Sequence, residues 1–285
     1  MAEGIGNKLK GKLVRESGSH HEENDGVEFG DLLERLNLGQ RKKKLIVFAL
    51  GGLLCHRVYR YDRSSVPRFR LPDTSYGSIL VYKRPYCEDF MKFCLDRFEV
   101  GIWSSAREWY LNNALDCIMK GLKGKLLFAW DQNECTRSGF CTLEKKDKPL
   151  FLKDLNKLWQ NKYLCKGKYS SSNTLLIDDK PYKALLNPVI YSTHGYLFFV
   201  LHFNSNTTIF IEHEYKVDDV DDMTLGPNSE LRLYLDELAK ADDDIPSYVE
   251  KHPFGQPAIT PRHPDWNFYS KVVRSFGKTS SSSAS

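Results

Sequence analysis

Apolar positions in the middle of this chain fall into short unbroken runs that alternate with stretches of helical spacing. Leu45 to Leu50 (LIVFAL) is continuous and of strand length, the pattern of a strand covered on both faces. Ser78 to Tyr82 (SILVY) predicts a second strand. Glu88 to Phe98 places apolar residues at helical spacing, and Val100 to Trp103 (VGIW) reads again as a strand. Arg107 to Leu122 then predicts a helix, Lys125 to Trp130 a strand, Leu152 to Gln160 a helix, and Asn173 to Ile177 a short buried strand. Alternation on this scale implies βαβ units and a mostly parallel sheet. Right-handed crossovers turn that sheet into a three-layer α/β sandwich.

Outside this region the pattern weakens. Residues 1–40 are polar and Gly-rich and predict a disordered segment, with one short helix at Asp31 to Leu38. The alternating part, 41–255, reads as a single domain, and residues 256–285, ending in FGKTSSSSAS, as a flexible tail. Asp131 to Leu143 reads as an inserted hairpin. The Arg41 to Lys44 run is a solvated approach to the first strand or a weak import signal.

Composition narrows the function classes. Of 285 residues, 41% are hydrophobic and 27% charged, the balance of an ordinary globular protein, and a net charge of +4 is too small to argue for nucleic acid. Seven cysteines without a C-x-x-C pair fit reduced thiols, and Cys135 with Cys141 lacks a second pair to complete a zinc site. The N-terminus has no apolar core of a secretory signal. The most apolar segment, Tyr196 to Phe203, has eight residues, far short of the roughly 20 that span a bilayer. A soluble protein with no transmembrane segment is expected.

In doubly wound sheets, ligands bind where strands end. Gly51 and Gly52 follow the first strand, Ser104 and Ser105 another, and Asp178 and Asp179 a third, a set suited to phosphate and metal. Each also has a plainer reading. The serines are common turn or N-cap residues, the Asp pair before Lys180-Pro181 can cap a turn, and Lys153 can be a solvated helix residue.

In order, the small-residue turn after Leu45 to Leu50, Lys83-Arg84-Pro85, Trp103-Ser104-Ser105, Leu152-Lys153-Asp154-Leu155 and Leu176-Ile177-Asp178-Asp179-Lys180-Pro181 resemble the CTD-phosphatase-like (NLI-interacting-factor-like) branch of the HAD phosphatases. The resemblance extends to Leu225-Gly226-Pro227 and the Leu231 to Leu238 helix. It implies a HAD-like Rossmannoid sandwich with a small β-hairpin cap. It also implies a D-x-D-x-T motif, in which one Asp attacks phosphorus, the next serves as acid and base, and Mg²⁺ neutralises the phosphoryl group. Here those positions are Ala49 for the nucleophile, Gly51 for the acid/base and Leu53 for the hydroxyl. Ser104 and Lys153 match the phosphate-binding positions. Asp178, Asp179 and the backbone carbonyl of Gly51 match the metal ligands, so Mg²⁺ binding is expected to be weakened or absent.

The expectation is a catalytically impaired phosphoprotein (Ser/Thr) phosphatase domain that binds a phosphorylated protein or peptide in the nucleus or cytoplasm. One alternative is a role like that of the related phosphatase-like domain in the mitochondrial inner-membrane translocase receptor. Another is an active Mg²⁺-dependent phosphatase in which Ala49 has been introduced. Tyr59, Tyr61, Phe69 and Tyr76, with Arg60, Arg63, Arg68 and Arg70, match a flap near the site or else a solvated basic loop. Arg84 is a helix-start residue or a phosphate ligand. Val189 to Ser205 is an aromatic-rich insert and a candidate partner surface.

Overall fold

The computed structural model describes residues 43–164, 167–187, 207–219 and 221–277. In chain order its elements are β1 (Leu45–Phe48), β2 (Cys55–Tyr59), β3 (Thr74–Tyr76), β4 (Ile79–Lys83), α1 (Cys87–Arg97), β5 (Glu99–Trp103), α2 (Glu108–Met119) and β6 (Phe128–Trp130). Then come β7 (Thr136–Cys141), β8 (Pro149–Leu152), α3 (Leu155–Trp159), β9 (Thr174–Asp178), β10 (Thr208–Phe210), α4 (Glu230–Lys240), α5 (Ile245–Lys251) and α6 (Trp266–Gly277).

The apolar run of β1 is buried at every position because the strand is central in a parallel five-stranded sheet of order β10-β9-β1-β5-β6. Its side chains divide by parity. Ile46 and Phe48 join the core of α1, α2 and α4, with Phe90, Leu115 and Leu235, while Leu45 and Val47 meet Trp103, Leu155 and Leu158 on the other face. Each large helix presents a stripe at i, i+3, i+4 and i+7: Cys87, Phe90, Met91 and Cys94 in α1, and Leu231, Tyr234, Leu235 and Leu238 in α4. Ser229 caps α4 by accepting the Arg232 N–H, and Asp244 caps α5 by accepting the Ser247 N–H. Gly101 is required inside β5, since a Cβ there would lie 2.3 Å from the Phe128 ring.

Several sequence expectations are corrected. The strand expected at Ser78 to Tyr82 lies outside the parallel sheet, in an antiparallel sheet of order β2-β4-β3. The cause is local: Tyr76 pairs with Ile79 across a two-residue turn whose Gly77 has φ +55°, so the chain folds back at once instead of crossing over. The helix expected at Leu152 to Gln160 begins later. Leu152 ends β8, and Asp154 caps α3 by accepting the Asn156 N–H at 3.0 Å. The inserted hairpin accordingly pairs β7 with β8 and runs to Leu152, past its expected end.

The tail expected over 256–285 is overturned for Trp266–Gly277. Helix α6 buries Tyr269, Val272 and Val273 against Leu150, Leu152, Tyr182 and Leu185. The helix expected at Asp31 to Leu38 and the insert at Val189 to Ser205 lie outside the described residues. Among the described residues, no helix is long and apolar enough to cross a membrane.

Candidate functional site

The carboxyl ends of β1, β5 and β9 open onto one cavity of about 420 Å³. Ala49, Gly51, Ser104, Lys153 and Asp179 line it, and Asp178 is fully buried directly beneath, paired with Lys153. The structure therefore brings together Ala49, Gly51, Ser104, Lys153, Asp178 and Asp179. Its wall carries six cationic side chains, Arg57, Lys145, Lys148, Lys153, Lys180 and Lys183, against three carboxylates, Glu144, Asp179 and Glu214.

At the end of β1, the Ala49 N–H donates to the Ile177 carbonyl at 2.9 Å, which holds residue 49 at the cavity floor with only a methyl group to offer. The chain then turns sharply. Leu50 accepts the Leu54 N–H at 2.9 Å, and Gly52 adopts φ +79°. Only glycine fits at 52, since a Cβ would lie 2.2 Å from Asp179 Oδ2 as well as straining the backbone. At Gly51, the position that the resemblance assigns to the acid/base, a Cβ would stand 3.5 Å from Arg57 Nη2. A guanidinium from β2 thus occupies the neighbourhood where a second carboxylate would project, and Arg57 Nε has no hydrogen-bond partner among the described groups.

The Ser104 hydroxyl oxygen accepts the Ala106 N–H at 3.1 Å, so the turn residue of the plainer reading and the candidate ligand are one. Accepting that bond leaves its O–H able to donate. Lys153 is not on a helix. It lies in the link between β8 and α3, where its N–H donates to Lys183 and its carbonyl accepts from Asn187 Nδ2 at 3.0 Å, and its side chain is 1% exposed.

Both oxygens of Asp178 accept hydrogen bonds. Oδ1 accepts from the N–H groups of Asp179 and Lys180 and from Lys183 Nζ at 2.9 Å, and Oδ2 accepts from Lys153 Nζ. Burial alone raises this carboxyl, but the Lys153 and Lys183 ammoniums outweigh it and hold Asp178 well below the usual carboxylate range. Asp179 accepts from Lys183 Nζ at 2.6 Å. Burial pushes it up; Lys183 draws it down, the Asp178 charge pushes it up again, and it stands at about 7. Burial also lowers His56, so its imidazole is uncharged at neutral pH, and lowers Lys148.

The residues present do not fit Mg²⁺. That ion holds anionic oxygens together with several waters. Of the three candidate ligands, Asp178 is fully buried with donors on both oxygens, Asp179 is clasped by an ammonium and Gly51 offers only a neutral carbonyl, while residue 49 contributes no side-chain oxygen. No cluster of three or more His, Cys, Asp or Glu suited to a metal occurs among the described residues.

The remaining candidates are structural or peripheral. Arg84 is 2% exposed and donates to Asp222 at 2.8 Å, to Thr224 Oγ1 at 2.8 Å and to the Leu53 and His213 carbonyls. Arg70 is tied to Asp73, the Lys83 carbonyl and the Tyr215 hydroxyl. Tyr59, Tyr61 and Phe69 are exposed, and Tyr59 and Tyr61 meet edge to face. Sequence reading passed over Arg57, Lys148 and above all Lys183. Its spacing, four residues after Asp179 and in a single turn opened by Pro181, is the signal that pointed there.

Residues 44–192 match the profile of a family described as NLI interacting factor-like phosphatase. No curated protein gives a significant match. Among solved structures, the chain is similar to that of Fcp1, an essential RNA polymerase II CTD phosphatase, with 14% identity, a TM-score of 0.37, and coverage of 85% of this chain and 64% of the other. A variant of the fission yeast enzyme bound to beryllium fluoride gives 17% identity, a TM-score of 0.33 and the same coverages. The chain thus spans 64% of the length of these two structures.

Proposed function

The chain belongs to the NLI interacting factor-like phosphatase family, and from that premise we propose that it binds a phosphorylated Ser or Thr segment of a nuclear or cytoplasmic protein and holds it without hydrolysis. One observation carries this reading. The cavity keeps a hydroxyl and a surplus of cations around its floor, yet the floor itself, Ala49, is a methyl group. Phosphoryl transfer to the protein requires a nucleophile with a lone pair, and acid/base help requires a proton carrier. Ala49 and Gly51 supply neither.

What remains is suited to binding. The Ser104 O–H donates to one phosphate oxygen, the Lys153 ammonium balances charge as a point cation, and the Arg57 guanidinium offers its fork of N–H donors. A labelled phosphoserine peptide and its unphosphorylated twin, compared by fluorescence anisotropy, test this. The phosphopeptide is expected to bind selectively, and Lys153→Met to weaken it about tenfold or more, as loss of a charge-assisted hydrogen bond does. Equal binding of the two peptides sinks the reading. So does Mg²⁺-dependent aryl phosphate hydrolysis by the wild-type chain that Asp178→Asn abolishes.

A further inference from the structure

We propose that Lys183 is a built-in replacement for the divalent cation of this site, so that its anion pocket works without metal. The Lys183 ammonium lies 2.9 Å from Asp178 Oδ1 and 2.6 Å from Asp179 Oδ1, bridging the two carboxylates that the family resemblance gives to the metal. Its side chain is 11% exposed, so the contact is internal. The backbone fixes it there. Pro181 opens a single turn through Ala184, the Lys183 N–H donates to the Lys180 carbonyl, and the Lys183 carbonyl accepts from Lys153.

The two lysines whose backbones are joined in this way also share Asp178 between them, one on each oxygen. Two carboxylates therefore face two ammoniums, with Arg57 close by at Gly51. A doubly charged ion entering this group meets no net negative charge and has to expel a buried ammonium, which is costly unless that ammonium finds new partners. An incoming phosphate, by contrast, meets cations already in position.

A tethered cation differs from a bound one in that it cannot be chelated. The anion half of the proposal rests on the phosphopeptide reading above; the cation half does not. Manganese titrated into the full chain, with free Mn²⁺ followed by electron paramagnetic resonance, tests the cation half. The wild type is expected to leave Mn²⁺ free at millimolar concentration. Lys183→Met, which keeps the chain length but removes the charge, is expected to bind it on the order of 100-fold more tightly, and adding Asp178→Asn to reverse the gain. Wild-type Mn²⁺ binding that Asp178→Asn abolishes overturns the proposal. A folded Lys183→Met protein that binds Mn²⁺ no better than wild type does the same.

Should Lys183→Met fail to fold, the wild type decides alone. Phosphopeptide affinity that is equal in EDTA and in Mg²⁺ supports the proposal, and a loss of about tenfold in EDTA overturns it. If no phosphopeptide binds under either condition, the reading under Proposed function fails, and the wild-type manganese titration still decides the role of Lys183.

Discussion

Asp179 and Asp178 are neighbours whose buried carboxyls titrate in opposite directions. Asp179, raised from 3.8 to about 7, takes up a proton more readily in the folded chain than in the unfolded one. Between about pH 4 and 7 the folded state then binds more protons at this site, so its contribution to stability falls as pH rises. Asp178 works the other way, contributing stability above its unfolded value that is lost in acid. Asp179→Asn is accordingly expected to shift Tm, relative to wild type, progressively upward from pH 4 to pH 7. A difference that stays flat over that range counts against the raised value. Gly51, Ser104 and Asp178 are legible in the sequence because each follows directly on an apolar run that ends at the cavity, whereas Ala49 lies inside its run and is picked out only by the family resemblance. Arg57 is not, because nothing in the spacing of His56-Arg57-Val58 says which way a long side chain reaches across a turn, and Lys183 is signalled only by its place four residues after Asp179 in the turn that Pro181 opens.

Elements repeat the distinction. Strands covered on both faces, such as Leu45–Phe48 and Thr174–Asp178, are legible from unbroken apolar runs and helices α1 and α2 from their helical spacing, while α4 is reached only through the family resemblance. Sheet membership was not legible for Ile79–Lys83, since a strand's composition does not name its partner and the decisive signal was the Gly77 turn. Helix α6 was hidden by the serine-rich end that follows it, although Tyr269, Val272, Val273 and Phe276 keep helical spacing. Its burial of the β7–β8 hairpin makes it part of the folded unit. Val272 is fully buried, so Val272→Asp in the full chain is expected to cost about 3 kcal/mol or more in urea unfolding, as an unpaired buried charge does. An unchanged midpoint returns this segment to the status of a tail.

At the scale of the whole molecule, the buried Arg84–Asp222 ion pair joins sequence-distant parts. Arg84, just after β4, meets Asp222 from beyond β10, with both side chains under 5% exposed. Asp222→Ala leaves the guanidinium buried without its counter-ion and is expected to destabilise the fold by about 3–5 kcal/mol, whereas Arg84→Met with Asp222→Leu recovers most of that loss. Comparing the two by urea unfolding checks this, and equal losses refute it. A second long-range tie lies at the cavity rim. Lys180 reaches Glu144 on the hairpin at 2.9 Å and Glu214 beyond β10 at 3.1 Å. On the phosphopeptide reading proposed above, a visiting anion competes with both carboxylates for this one ammonium. A singly charged visitor merely trades like for like, while a phosphate ester past its second ionisation, near pH 6, brings the stronger pull. On that same reading, the rim favours callers by valence before the floor reads their shape.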